Sequence, residues 1–201
     1  MKRNRLCSSW AKVLGCVLLV VALAACRSTV RVPDAAQPTV QQASVFPDYR
    51  DVVIPPNIAP LNFQVNNPAD EVVVQIKGQR GEPLVAEAET AGKLRFDSTE
   101  WRRLLTDNRG GQLSVEIFTQ HEGQWLQHPA WKWTVAAEPI DSFLTYRLIE
   151  PSYELYRQLG LYERNLTNFD EHPIYENNDT FEEENNHCVN CPTPQAHGTT
   201  G

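Results

Sequence analysis

His187-Cys188-Val189-Asn190-Cys191-Pro192 carries the residues of this chain with the most chemistry in reach. Two thiols at C-x-x-C spacing can form thioethers with haem vinyl groups, a following histidine supplying an axial nitrogen to iron. They can hold zinc with two further ligands. They can act as a redox pair where a positive setting lowers a thiol pKa. They can also close as a plain disulfide or stay idle in a loose tail. The neighbours weigh on each option. Pro192 stands where a c-type haem motif has histidine, while His187 precedes the first cysteine and His197 follows the second at a distance. Zinc would draw on His187 or His197. Glu182-Glu183-Glu184 upstream disfavours a thiolate. The residues alone leave these alternatives open.

The compartment narrows what thiols can do, and the other end of the chain speaks to it. Lys2, Arg3, Arg5 and Lys12 form a positive leader, followed by an apolar or small run from Val13 to Ala25. That run falls short of the roughly 20 apolar residues a spanning helix needs, and residues 1–25 read as an export signal. Leu23-Ala24-Ala25-Cys26 resembles a bacterial lipobox. It implies a diacylglycerol on the Cys26 sulfur and cleavage before it. Several acyl chains on one residue, at about 0.8 kcal/mol per buried methylene, hold a protein on a membrane. Cys7 and Cys16 would leave with the signal, so Cys188 and Cys191 would be the only free thiols of the mature chain, outside the cytoplasm. Arg27 in place of aspartate matches the outer-membrane sorting of other Gram-negative lipoproteins, so the expected location is the outer membrane facing the periplasm.

Charge excludes one class of partner. The 18 basic residues less the four of the leader leave 14 against 25 acidic ones, a net of −11. A chain without a basic stripe does not hold nucleic acid by its phosphates. No G-x-S-x-G, H-E-x-x-H, phosphate loop or dinucleotide fingerprint occurs, and the expectation is a non-enzyme.

Around these termini lie the elements that would position any site. Residues 26–44 lack aromatic residues and periodicity, and read as a flexible tether of about 25 Å mean reach. Residues 45–137 turn to short alternating runs. Val72, Val74 and Ile76 share one strand face, as do Leu113, Val115 and Ile117, and Trp131, Trp133 and Val135. Some seven short strands with turn residues between them predict an antiparallel β-sandwich of immunoglobulin or fibronectin type. Asp97-Ser98-Thr99-Glu100 starts one short helix, which crosses from sheet to sheet. The tryptophans of "WKWTV" read as core, and a carbohydrate-binding lipoprotein stacking sugars on Trp125 is a rival reading.

Residues 138–178 are tyrosine-rich, with Pro151-Ser152 predicted to open a helix ending at Gly160 and the remainder irregular. Residues 179–201 form an acidic, polar tail holding the C-x-x-C.

Taken together, "PDYRDVVIPPNIAPLNFQV", the tyrosine-rich block "IDSFLTYRLIEPSYELYRQLGLYERNLTNFDEHPIYENN" and "HCVNC" resemble a bacterial family of exported lipoproteins, labelled TolB-like or cytochrome c biosynthesis proteins. The resemblance implies a β-sandwich, the tyrosine-rich segment, a C-V-N-C-H haem-type motif and then a WD-type β-propeller. Cys188 and Cys191 match the two haem-attachment cysteines, so haem c is the cofactor implied for the full-length family. This chain continues instead with Pro192-Thr193-Pro194 to Gly201, and the resemblance implies a truncated or frame-shifted form that cannot complete the motif. The function expected is a membrane-anchored binding module whose tyrosine-rich segment docks on a protein partner or the propeller. A c-type electron-transfer protein is the alternative.

Overall fold

The computed structural model describes residues 30–148 and 159–176. The first of these ranges holds ten short strands, one α-helix and one 3-10 turn (Thr90–Gly92) before residue 137: β1 (Ala36–Pro38), β2 (Val45–Phe46), β3 (Val53–Ile54), β4 (Phe63–Val65), β5 (Glu71–Lys77), β6 (Leu84–Glu87), β7 (Lys93–Leu94), α1 (Ser98–Asp107), β8 (Gln112–His121), β9 (Gln124–Gln127) and β10 (Trp131–Val135). The fold is mainly β, as the alternating runs require.

Two sheets divide these strands. One runs β2-β4-β7; the other is built around β8, which pairs with β5 on one side and with β9 and β10 on the other. β6 extends the sheet beyond β5, and β1 and β3 lie parallel to β9 and β10. The β9 and β10 pieces are one strand interrupted by a bulge. Phe118 faces Gln127 and Val115 faces Trp131, so β9–β10 holds one residue more than β8 over this interval. β2 and β3, separated by a turn over residues 47–52, belong to different sheets: β2 pairs with β4 and β3 with β10. With β9–β10 counted once and the two-residue pieces β2 and β3 counted as one crossing edge, residues 45–137 hold the seven strands expected, and β1 is an eighth.

The period-two runs become the core. Val74, Ile76, Val115, Ile117, Trp133 and Val135 are all fully buried, with Phe63, Val65, Leu94 and Phe96 facing them from the other side. Each large apolar side chain taken from water contributes about 1.5–3 kcal/mol. The aromatic rings interlock: Phe96 stacks on Trp101 at 5.7 Å, and Trp101 meets Trp133 edge-on at 5.9 Å. Edge-on and offset contacts suit the ring quadrupoles.

Helix α1 closes one end of the sandwich. The Asp97 carboxylate accepts the Thr99 and Glu100 amides at 2.9 Å, as the sequence predicts for an N-cap. Trp101, Leu104 and Leu105 turn inward, and the Trp101 indole N–H donates to the Ile58 carbonyl. At the other end Asn108, 2% exposed, donates to the carbonyls of Leu104 and Arg80 and accepts the Arg80 amide. One buried amide side chain thus ties the helix terminus to the β5–β6 turn.

Two boundaries differ from the sequence reading. The tether assigned to residues 26–44 already contains β1, which pairs Ala36, Gln37 and Pro38 with Trp125, Leu126 and Gln127. An edge strand that gives only backbone bonds needs no apolar alternation, so nothing in its side chains announces it. Beyond it Ala43 is 1% exposed, inside the core. The tyrosine-rich segment, expected to be helical and irregular, contains three strands: β11 (Phe143–Leu148), β12 (Gly160–Asn165) and β13 (Glu171–Glu176). Gly160, expected to stop a helix, opens β12. The rest of that predicted helix, residues 151–158, lies outside the described residues.

Candidate functional site

β11, β12 and β13 form a separate antiparallel sheet in that order. Backbone and amide bonds at its base join it to the sandwich. The Asn57 side chain brackets the peptide groups of Ile140, and the Ala59 amide donates to the Leu166 carbonyl at 2.8 Å. Leu144, Tyr146 and Leu148 alternate with Phe143, Thr145 and Arg147 along β11, so both faces carry apolar and polar groups. Phe143, Leu144, Leu148, Phe169 and Ile174 are each between 44% and 53% exposed. A mixed pattern on both faces hides the strand period.

The centre of the sheet is a pair of phenols. Tyr146 lies directly opposite Tyr162, the rings 6.0 Å apart and nearly parallel. The Tyr162 hydroxyl donates to the Glu176 carboxylate on β13, which pushes the phenol up to about 12. The Tyr146 phenol is raised as well, first by its bond to Glu171. Arg164 reaches Glu171 at 3.5 Å and His172 reaches Glu163 at 3.3 Å. The carboxylates are therefore engaged by neighbours on the sheet. The arrangement offers stacking area, hydrogen-bonding rims and exposed hydrocarbon.

The other candidates fall out as follows. Cys26, the lipidation residue, and Cys188 and Cys191, the haem-attachment-like pair, lie outside the described residues. Trp131 and Trp133 are core, and Trp125 on β9 is half-buried. A polar cleft of about 460 Å³ runs between the β4–β5 and β6–β7 connections. Of its acidic side chains, Asp70 accepts the Glu122 amide and Glu89 pairs with Arg95. Among the described residues no group of histidine, cysteine and acidic side chains could hold a metal. No helix there is long and apolar enough to cross a membrane.

No family model, curated protein or solved structure matches the chain. The exposed sheet is what sequence reasoning missed. Its signal was present in the aromatic density of residues 138–178, but not its strand geometry.

Proposed function

We propose that this chain is an exported lipoprotein, acylated at Cys26 and held on the outer membrane facing the periplasm, that works as a non-catalytic binding module. The three-stranded sheet is the surface that meets the partner, and the module is the N-terminal part of a TolB-like propeller protein. The observation that carries the reading is where exposed hydrocarbon sits. The exposed large apolar side chains of the sandwich, Val40, Phe46 and Val53, lie on separate segments, whereas Phe143, Leu144, Leu148 and Ile174, with Phe169 in the β12–β13 turn, are half-exposed together on one small sheet. Clustered apolar exposure rimmed by polar groups is the pattern of an interaction surface. The leader, the lipobox-like Leu23-Ala24-Ala25-Cys26 and the acidic mature chain support export and anchoring.

The test uses the full chain in a Gram-negative host with a photoreactive residue at Phe169 or Ile174, and at exposed Lys132 as control. The expected result is one discrete adduct with a different protein, formed from the first two positions and not from Lys132. No adduct, or the same adducts from all three, overturns the reading. Retention in the membrane fraction that does not change on Cys26→Ser overturns the anchoring.

A further inference from the structure

Tyr146 and Tyr162 are held in a way that suits one reaction. They are register partners on β11 and β12, with rings 6.0 Å apart and 24° from parallel. A missing side chain sets the lie of one ring. Gly160 stands two residues before Tyr162 and so shares its face of the strand. A Cβ on Gly160 would come within 2.6 Å of the Tyr162 Cε2 atom, so that ring lies over the bare glycine. Glu176 is the register partner of Gly160, and the leaning ring delivers its hydroxyl to the Glu176 carboxylate. The Tyr146 hydroxyl donates to Glu171, on the same strand as Glu176. Each phenol therefore has a carboxylate beside its proton and a second phenol beside its ring. Both tyrosines are only partly buried.

A phenol gives up an electron far more readily when its proton can leave at the same time. A hydrogen-bonded carboxylate is a ready acceptor for that proton. The phenoxyl radical left behind carries unpaired density on the two Cε carbons, ortho to the oxygen. Two such radicals held side by side join there.

We propose that Tyr146 and Tyr162 form a modification site, an oxidative dityrosine link that joins β11 to β12. A one-electron oxidant takes one electron from each ring, and the phenolic protons pass to Glu171 and Glu176. One Cε carbon of each ring then forms the new C–C bond. The hydrogen on each of these carbons moves to its own phenol oxygen, which restores both aromatic rings. Two equivalents of oxidant are reduced, two protons reach solvent through the carboxylates, and the chain is lighter by two hydrogen atoms. Partly exposed side chains turn on a picosecond-to-nanosecond scale, so the two Cε carbons meet while the radicals last. The bond closes the chain between residues 146 and 162 and removes freedom from the unfolded state. The link uses the chain itself as substrate and is independent of the sheet's reading as a binding surface.

The test exposes the full chain, dilute and in mild detergent, to a photogenerated ruthenium(III) tris-bipyridyl oxidant. Wild type is expected to give a monomer lighter by two hydrogen atoms, with blue dityrosine fluorescence. Peptide mapping should join residue 146 to residue 162. Tyr146→Phe and Tyr162→Phe should each remove the monomer's fluorescence, and Tyr49→Phe should leave it. Glu176→Gln keeps an oxygen for the Tyr162 hydroxyl to bond but cannot take its proton. That variant should link severalfold more slowly at neutral pH. Near-ultraviolet dichroism of the buried tryptophans checks that each variant is folded, and the wild-type map decides the pairing without any variant. A wild type that forms no link within one molecule overturns the proposal, as does a link that maps to other tyrosines. An unchanged rate in folded Glu176→Gln overturns the role given to the carboxylate.

Discussion

The Nδ1 atom of His128 lies 2.9 Å from the carbonyl oxygen of Gln41, across 87 residues of chain, while its Nε2 lies 2.9 Å from the Thr119 hydroxyl. A carbonyl only accepts, so Nδ1 carries the proton, and in the neutral ring Nε2 accepts from Thr119. His128 and Thr119 are each 4% exposed. The imidazole occupies the bulge of the β9–β10 strand and fastens the segment that follows β1 to the sandwich.

His128→Ala is therefore expected to cost about 1–3 kcal/mol, since it strands a buried hydroxyl and removes the bond to a part-buried carbonyl. Urea unfolding measures the loss. Hydrogen exchange should localise it, the Thr39 amide on Gln127 losing protection before the amides of β8. Unchanged protection at Thr39 would sink the idea of a fastening.

The three core tryptophans should not be equivalent. The Trp133 indole N–H donates to the Tyr49 carbonyl and that of Trp101 to Ile58, whereas the Trp131 Nε1 is buried with no partner. Phenylalanine removes the donor in every case, but only at 101 and 133 does it strand a carbonyl. Trp131→Phe should be milder than Trp133→Phe by about 1–2 kcal/mol in denaturant titration. Equal losses would mean that ring volume alone decides.

Much of this framework can be read in the residues. Val72, Val74 and Ile76, Leu113, Val115 and Ile117, and Trp131, Trp133 and Val135 alternate because one side of each strand meets the core and the other meets water. Asp97 announces α1 because an N-cap carboxylate has a local job that its neighbours reveal. β1 gives no such sign, because backbone bonds at an edge constrain no side chain. The tyrosine-rich sheet was hidden for a related reason. Neither face of β11 is purely apolar, and Pro173 argues against a strand except at an edge. Tyr146 and Tyr162 are distant in sequence, and only strand pairing makes them neighbours.

Two glycines with positive φ should respond differently to a methyl group. Gly92 has φ +73°, and a Cβ there would run into the Val65 carbonyl oxygen; Gly123 has φ +78° with nothing within 4 Å. Gly123→Ala carries only the conformational penalty of about 1–2 kcal/mol. Gly92→Ala adds a backbone clash against β4 and should lower Tm visibly further. Matching melting curves would contradict the packing at β4.

Alkaline titration tests the Tyr162–Glu176 bond. The folded-state pKa lies above the ordinary phenol value of 10.0, at about 12. The bond's stabilisation is complete below pH 10 and is lost as pH rises through about 12. Phenolate absorbance should include one late-titrating tyrosine that Tyr162→Phe removes. Glu176→Gln should bring that transition down toward the ordinary value, and an unmoved transition would assign the shift elsewhere.

Because β1 begins at Ala36, ten Cα-to-Cα steps separate Cys26 from the folded sandwich. At about 3.3–3.6 Å per step that stretch of chain spans at most about 35 Å. An acylated Cys26 would thus keep the start of the module within that distance of the lipid headgroups. Any partner of a module so anchored would then have to come within that height itself.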